Sequence, residues 1–252
     1  MSSKVFIVTG ASRGLGLAVV QALLRASHKV FLVARTEKEL RAIKEQHPSS
    51  VDFITADLGD LTVAPKVIRS SLQAFGNIDG LVVNHGVLSP ITKISESSAE
   101  EWRRAYDINV FSAVALVKEA IPELRKTNGR VVFVSSGAAS AAYAGFGAYG
   151  TSKAALNHIC AYLAVEEPSI TSVTISPGKV DTAMQKQIRE EGMTGMPTEV
   201  HAIFVNEHEK GLLLSPDKPG TVIAKLVDGA RKEFSGKHFR WNAAELADFQ
   251  GA

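Results

Sequence analysis

A tyrosine and a lysine four positions apart are the residues whose types and spacing best suit chemistry. Tyr149 and Lys153 bracket the segment Tyr-Gly-Thr-Ser-Lys, and Ser136 lies a short way upstream. Because residues four apart share one face of a helix, the lysine ammonium would favour the phenolate and lower the tyrosine pKa from about 10. A serine hydroxyl from another segment could then hold a substrate oxygen beside a phenol that transfers a proton. The alternative without any chemical role is that the tyrosine and the lysine lie on the surface of an amphipathic helix.

A glycine-rich segment near the N-terminus favours the chemical interpretation. Residues 4–8 form a mostly apolar run of strand length, residues 9–16 read Thr-Gly-Ala-Ser-Arg-Gly-Leu-Gly, and residues 17–24 suit a helix with a buried face. In such a unit the glycines let the backbone approach a pyrophosphate, and the helix N-terminus offers free N–H groups. The spacing therefore predicts a dinucleotide site, and a purely structural turn is the alternative.

Strands and helices alternate along the chain. Apolar runs predict strands at 5–9, 30–34, 51–55, 80–83, 130–135 and 172–176, with a weaker seventh at 237–241. Helical patterns fall at 15–26, 36–46, 61–74, 98–126, 147–166 and 219–233. Most strand runs are unbroken, as expected for parallel strands that are covered on both faces. We therefore predict one α/β domain over residues 1–252, a doubly wound Rossmann fold with seven mostly parallel strands and helices on both faces of the sheet.

The candidate site residues follow predicted strands. The glycine turn, Asn84, Ser136 and the pair Pro177-Gly178 each come just after one of the strand runs. Because ligands of such sheets bind at the carboxyl ends of the strands, these segments should meet at one edge.

One segment interrupts the alternation. Residues 184–219 are rich in glycine, proline and charge, and we predict that they form a mobile substrate lid with a short helix at 198–213. An ordinary surface insertion is the alternative.

Together these motifs resemble those of the short-chain dehydrogenase/reductase family over nearly the whole chain. The matching positions occur in the family's order and include Asp57-Leu58, Asn84-His85-Gly86 and Asn109. The resemblance implies that Asn109, Ser136, Tyr149 and Lys153 are catalytic. It also implies nicotinamide-cofactor contacts from Gly10, Ser12, Arg13, Gly14, Leu15, Gly16, Asp57, Leu58, Asn84, His85, Gly86, Tyr149, Lys153, Pro177, Gly178, Val180 and Thr182. His85 replaces the family's alanine, and we expect it to pack or hydrogen-bond locally.

Charge at the end of the second predicted strand indicates which cofactor binds. Sites of this fold that prefer NAD place an acid there to bind the ribose hydroxyls, whereas this chain has Val-Ala-Arg-Thr with no acid before Glu37. Arg35 suits a 2′-phosphate, and Arg13 could supply a second cation. The predicted cofactor is therefore NADP(H), and the same residues disfavour the alternative of an oxidative, NAD-dependent alcohol dehydrogenase.

A closer resemblance within the family indicates the substrate class. Residues 149–158, 181–185 and 247–249 are similar to those of fungal benzil reductases, which are similar in turn to sepiapterin reductases. Arg240 falls near the place where sepiapterin reductases carry an aspartate that anchors the pterin, and a guanidinium cannot accept the pterin N–H groups. We therefore predict an NADPH-dependent reductase of aromatic ketones or α-diketones such as benzil. A catalytically weak NADP(H)-binding regulator and a sepiapterin-type reductase are the alternatives.

The predicted substrate pocket is apolar and aromatic. Ser136, Tyr143, Phe146 and Met184 would line it, although packing alone could explain the two rings. Hydride from the cofactor would reach the carbonyl carbon while Tyr149 gives a proton to the oxygen and Ser136 hydrogen-bonds it.

The composition is that of an ordinary globular enzyme. The 252 residues carry a net charge of +2, which gives no reason to expect nucleic acid or membrane as a partner. Cys160 is the single cysteine, so an internal disulfide is impossible, and the scattered histidines suggest no metal site. Because we find no targeting motif and no apolar run long enough to span a membrane, we expect a cytoplasmic protein, and a fraction in the nucleus is an open alternative. Homodimers or homotetramers through helices 98–126 and 147–166 are implied by the family resemblance.

Overall fold

The computed structural model describes residues 3–251, which fold around a seven-stranded, fully parallel sheet. The strands are β1 (Val5–Thr9), β2 (Lys29–Ala34), β3 (Val51–Thr55), β4 (Gly80–Val83), β5 (Arg130–Val134), β6 (Thr171–Ser176) and β7 (Lys237–Arg240). Their order is β3-β2-β1-β4-β5-β6-β7, and every neighbouring pair is parallel. The predicted doubly wound fold is confirmed, and the sheet changes winding direction between β1 and β4, where a ligand crevice is expected.

Helices cover both faces of the sheet. They are α1 (Gly14–Arg25), α2 (Glu37–Gln46), α3 (Ala64–Phe75), α4 (Ala99–Tyr106), α5 (Ser112–Thr127), α6 (Gly147–Glu166), α7 (Ala183–Glu191), α8 (Thr198–Glu209), α9 (Asp217–Gly229) and α10 (Ala247–Gln250). Side chains alternate along each strand, so Phe6 and Val8 enter the core with α1 and α9, whereas Ile7 enters the opposite core with α3, α5 and α6. Both layers are apolar, which explains the unbroken strand runs in the sequence.

The predicted helix at 98–126 is wrong in one respect. It is divided into α4 and α5 by a π-helical turn over Asp107–Phe111. The Ser112 hydroxyl donates to the Ile108 carbonyl at 2.6 Å, a side-chain bond that accompanies the widened turn. Residue types alone do not indicate such a turn, because its residues suit an ordinary helix equally well.

Smaller corrections concern helix ends. Residues 61–63 form a 3₁₀ turn before α3, since the Asp60 carboxylate accepts from the Thr62 N–H and proline occupies the first turn of α3. Helix α8 ends at Glu209, four residues before its predicted end, and Gly211 follows with φ of +64°. Helix α9 begins at Asp217 and ends at Gly229, so the prediction of 219–233 is displaced toward the C-terminus.

A third apolar cluster lies beyond the carboxyl edge of the sheet. It joins Leu88, Ile91, Phe146, Tyr149, Ile188, Met196 and Phe204. Helices α7 and α8 pack against the start of α6 through this cluster. No helix among residues 3–251 has the length and hydropathy required to cross a membrane.

Candidate active site

A cavity of about 980 Å³ opens at the carboxyl edge of the sheet. One end, here called the glycine end, is walled by Gly10, residues 12–16, Arg35, Asp57 and Leu58. The other, the apolar end, is walled by Phe146, Met184, Ile188 and Phe204. Every predicted site residue borders the cavity except Asn109. The sequence prediction that the strand-following segments converge on one edge therefore agrees with the geometry.

Backbone shape dominates the glycine end. Gly10 and Gly14 have φ of +63° and +55°, a region that side chains disfavour. A Cβ on Gly16 would lie 2.2 Å from the Gly10 carbonyl oxygen, so only glycine allows this close approach. Asn84 holds the turn from the neighbouring strand by donating to the Thr9 carbonyl at 2.9 Å. The start of α1 therefore borders the cavity, and its free N–H groups could bind an anionic phosphate. The residues at this end thus fit the pyrophosphate of a dinucleotide.

Two arginines stand at the same end. Arg13 and Arg35 are exposed, and among the described residues neither forms a salt bridge. Glu37, the first acid after β2, pairs with Arg41 one turn along α2. The cavity wall at the end of β2 therefore carries two arginines, and the first acid that follows β2 in the sequence is paired with Arg41.

Ser136, Tyr149 and Lys153 meet in the middle of the cavity. Ser136 caps the short turn after β5, where its hydroxyl accepts from the Ala138 N–H at 3.2 Å. Tyr149 and Lys153 lie in the first two turns of α6 and are 8% and 3% exposed. The Lys153 ammonium is 5.8 Å from the centre of the tyrosine ring and donates to the Val134 carbonyl at 2.9 Å. The Tyr149 phenol, the Ser136 hydroxyl and the Lys153 ammonium thus share one site that is largely shielded from solvent.

Burial controls the acidity of this group. Burial raises the pKa of Tyr149, and a hydrogen-bonding contribution from Ser136 opposes the rise. Burial also lowers the pKa of Lys153 to about 8, because its charged form loses solvation. The sequence-based expectation that the tyrosine pKa lies below its usual value is therefore wrong for the protein without a bound ligand, because the loss of solvation outweighs the hydrogen bond from Ser136.

Asn109 lies behind the cavity wall. It is 1% exposed, its Oδ1 accepts from the Val87 N–H at 2.8 Å, and its Nδ2 donates to the Val87 carbonyl and to Ser152. A Cβ on Gly86 would lie 3.2 Å from Asn109 Oδ1 and 3.3 Å from the Lys153 nitrogen. Asn109 therefore ties the π-helical turn to the loop after β4, directly behind the lysine, through a side chain whose polar atoms are already engaged.

His85 makes local hydrogen bonds, as the sequence analysis expected. Its Nδ1 lies 2.8 Å from the Thr9 hydroxyl and its Nε2 lies 2.6 Å from the Ser112 hydroxyl. Because Ser112 donates to the Ile108 carbonyl, it accepts a hydrogen bond from His85 Nε2. Burial and the nearby charge of Lys153 lower the pKa of His85 to about 3, so the ring is neutral. The imidazole lies between Thr9 of β1 and Ser112 at the start of α5, and each of its nitrogens is within hydrogen-bond distance of one of these hydroxyls.

The apolar end is built from side chains on four segments. Phe146 is buried and meets Tyr149 edge-to-face, with ring centres 6.1 Å apart. The rings of Tyr143 and Phe204 also lie beside that of Phe146, with ring centres 6.1 and 5.9 Å away. The predicted pocket residues thus adjoin one another beside the phenol.

The sequence analysis missed several residues of the cavity wall. They include Leu88, Gln185, Ile188, Phe204, Trp241 and Asn242. The spacing of Met184 and Ile188, four apart, could have indicated an inward helix face, whereas nothing local marks Phe204 as a neighbour of Phe146. Residues 184–219, the predicted lid, supply α7 and α8 to this wall, and their mobility stays a prediction. Arg240, at the end of β7, also borders the cavity.

Comparison with known proteins shows the family. Residues 4–192 match the family model described as short chain dehydrogenase. An uncharacterised oxidoreductase of Saccharomyces cerevisiae, YIR035C, is 41% identical over 98% of both chains. Its crystal structure has a TM-score of 0.96 and covers 99% of this chain and 100% of that one.

Two further relatives are named for a reaction. A benzil reductase ((S)-benzoin forming) of Saccharomyces cerevisiae is 39% identical, with 98% of this chain and 99% of that protein covered. A benzil reductase of the same description from Bacillus cereus is 34% identical over 88% of this chain and 93% of its own length. The protein belongs to the short-chain dehydrogenase/reductase family of oxidoreductases.

Proposed function

We propose that the protein is an NADPH-dependent reductase that converts aromatic ketones or α-diketones such as benzil to hydroxy compounds. The observation that carries the proposal is a single cavity in which Ser136, Tyr149 and Lys153 stand between a phosphate-shaped turn and an aromatic wall. Neither a plain binding module nor a structural domain would need a buried lysine beside a buried phenol at that junction. When bound, the cofactor supplies the hydride.

Tyr149 is the proton donor in this proposal. Its phenol is buried beside the apolar end and its pKa is raised, so it is protonated at neutral pH. Ser136, whose hydroxyl is placed by the turn after β5, hydrogen-bonds the same substrate oxygen as negative charge develops there. The aromatic rings around Tyr149 exclude water from that oxygen, which strengthens both hydrogen bonds.

Lys153 stabilises the phenolate that Tyr149 leaves behind. Its ammonium is oriented by the Val134 carbonyl and lies close to the tyrosine ring. The family resemblance leads us to propose Asn109 as a catalytic residue. Because its side chain is already hydrogen-bonded to Val87 and Ser152, we propose that it acts by positioning its neighbours. By holding the loop after β4 against the π-helical turn, it fixes the wall next to the lysine.

Selection of NADPH over NADH rests on charge. Arg35 and Arg13 flank the place where a 2′-phosphate would lie, and the first acid after β2 is paired with Arg41. Guanidinium groups bind phosphate through parallel charge-assisted hydrogen bonds, which a ribose hydroxyl cannot match. Asp57, Leu58 and residues 84–86 would contact the adenosine half, and residues 177–182 the nicotinamide half.

The substrate class is supported by the wall and by the relatives. The apolar end presents aromatic and aliphatic side chains, and two relatives carry the name benzil reductase. Arg240 borders the cavity where a carboxylate would be needed to accept a pterin's N–H groups. An aromatic diketone has only acceptors and so leaves no donor unpaired.

The test is a reduction assay with a substrate panel. Purified protein with NADPH and benzil, other α-dicarbonyls or aromatic monoketones should consume NADPH, followed at 340 nm, with much slower consumption of NADH. Benzoin should be found as the product from benzil. Tight NADPH binding without turnover of any panel member would instead indicate a cofactor-binding regulator.

Assembly, location and domain organisation complete the proposal. Val114 on α5 and Tyr162 and Val165 on α6 are exposed apolar side chains, which supports a homodimer or homotetramer through these helices. A cytoplasmic location is supported by a Saccharomyces cerevisiae relative, 39% identical, whose structure is described as that of a cytoplasmic protein. We treat the chain as one domain, because its sheet draws strands from residues 5 to 240.

A further inference from the structure

We infer that Gln185 is a specificity-determining residue, whose side-chain amide donates a hydrogen bond to the second carbonyl oxygen of an α-diketone. The inference rests on the proposed function and concerns the same cavity. Gln185 lies in the first turn of α7 and borders the apolar end.

The amide of Gln185 is buried and lacks a protein partner. The residue is 8% exposed, and its Oε1 is sealed from solvent without a hydrogen bond. Its Nε2 makes no hydrogen bond to any group in residues 3–251 and is not among the sealed atoms, so it is the end open to the cavity. Buried polar groups are nearly always paired, so the unpaired amide of Gln185 is an unexplained feature of the cavity wall.

The amide of a nearby glutamine, Gln187, is hydrogen-bonded within the protein, unlike that of Gln185. Gln187, two residues along α7, donates to the Ser89 hydroxyl at 2.9 Å and to the Glu191 carboxylate at 2.8 Å. Its amide is used to tie α7 to the loop after β4, so it has no spare donor. Gln185 faces inward with Ile188, which packs in the same apolar cluster as Tyr149 and Phe146.

The chemistry of the substrate indicates what the free donor would bind. The reacting carbonyl oxygen takes the hydrogen bonds of Tyr149 and Ser136, which leaves the adjacent oxygen of a diketone as an unpaired acceptor in a dry pocket. Nε2 of Gln185 is a hydrogen-bond donor that lacks an acceptor, so the two groups complement each other. Its place in the first turn of α7 adds the positive end of the helix dipole, which favours a partly negative oxygen.

This contact would also decide the stereochemistry. The reacting carbon of benzil carries a phenyl and a benzoyl group, two substituents of similar shape and apolarity. An apolar pocket offers no hydrogen bond by which to distinguish two aromatic groups that differ mainly in one carbonyl. The extra oxygen is the feature that separates them, and a donor that holds it fixes which face of the carbonyl receives hydride.

The test compares benzil with deoxybenzoin, in which a methylene replaces the second carbonyl. Both are assayed with NADPH against wild type, Gln185→Leu and Gln187→Leu. We expect Gln185→Leu to lower the benzil-to-deoxybenzoin ratio of kcat/KM roughly tenfold, as loss of one buried hydrogen bond implies. The enantiomeric excess of the benzoin should fall as well. Gln187→Leu, the matched control on the same helix, should leave the ratio unchanged.

The outcomes separate this inference from the proposed function. If wild type reduces both ketones but Gln185→Leu lowers both equally or changes neither, Gln185 serves structure and the inference is wrong, while the reductase stands. If wild type reduces neither ketone, the proposed function fails and the inference fails with it. Should Gln185→Leu not fold, Gln185→Met, closer in length, is measured for the same ratio and excess, and an unchanged ratio there also overturns the inference.

Discussion

The two ends of the cavity are built in different ways. At the glycine end the walls are backbone, with a turn whose shape requires glycine at positions 10, 14 and 16 and a helix N-terminus behind it. At the apolar end the walls are side chains from the loop after β4, α6, α7 and α8, which meet only in the folded protein. A backbone wall suits a ligand that is always the same, such as a cofactor, whereas a side-chain wall can vary with the substrate.

The largest effect is expected where the two ends meet. Tyr149→Phe removes one oxygen and keeps the ring that packs on Phe146, so folding and NADPH binding should survive. Loss of a general acid should lower kcat for benzil by about 10²–10⁴-fold. Steady-state kinetics and an NADPH titration measure the two effects separately. A kcat close to wild type would show that another group protonates the substrate.

The charge of the glycine end is tested by Arg35→Ala. Removing a charge-assisted contact worth roughly 1.5–3 kcal/mol should weaken NADPH by about one to two decades, and NADH should be nearly unaffected. The Kd of each cofactor, from fluorescence titration, gives the comparison. Equal weakening of the two would mean that Arg35 supports the turn and does not bind the phosphate.

The shape of the glycine end is tested by Gly16→Ala. The added methyl would lie 2.2 Å from the Gly10 carbonyl oxygen, so the turn must move, at a cost of about 1–3 kcal/mol in unfolding free energy. NADPH affinity should fall with it, as measured by chemical denaturation and titration. Gly229→Ala is the matched control, because a Cβ there meets nothing within 4 Å. If both variants behave alike, the tight turn is not required for binding.

The apolar end is tested by substrate preference. At the position of the pterin anchor a pterin would meet Arg240, whose guanidinium cannot accept its ring N–H groups, and each donor left unpaired costs about 1–3 kcal/mol. We therefore expect kcat/KM for benzil to exceed that for sepiapterin by roughly tenfold or more at saturating NADPH. Faster turnover of sepiapterin would show that another acceptor anchors the pterin and that the inference from Arg240 is wrong.

The smallest effect is a pH dependence centred on Lys153. Burial lowers its pKa to about 8, so the free enzyme loses this charge at a lower pH than an exposed lysine would. The pKa of Tyr149 is raised, so the phenol stays protonated over the same interval. The kcat/KM for reduction should therefore fall as pH rises through about 8. In Lys153→Arg this limb should vanish at whatever activity remains, and a wild-type profile flat to pH 10 would contradict the assignment.

Most of the glycine end and the pair Tyr149 and Lys153 in the middle of the cavity could be predicted from residue types. A glycine turn between a strand and a helix, an arginine at the end of the second strand and a Tyr-x-x-x-Lys pair are local patterns, and local patterns are visible in sequence. The π-helical turn was not visible, because its residue types suit an ordinary helix and its Asn109 is held by hydrogen bonds to and from the backbone of the distant Val87. Nor was the raised pKa of Tyr149, since it follows from burial that other segments provide.

The sequence by itself determined which segments form the strands, where the glycine turn lies and which residue types are available for the proposed chemistry, because each depends on short-range periodicity, glycine geometry or charge. Only the tertiary structure decided the apolar end, where Phe204 reaches Phe146 across nearly sixty residues of chain. It also decided that the amide of Gln185 is buried without a partner while that of Gln187 is not. Burial and pairing are properties of what surrounds a side chain, and those surroundings are assembled from segments far apart in the chain.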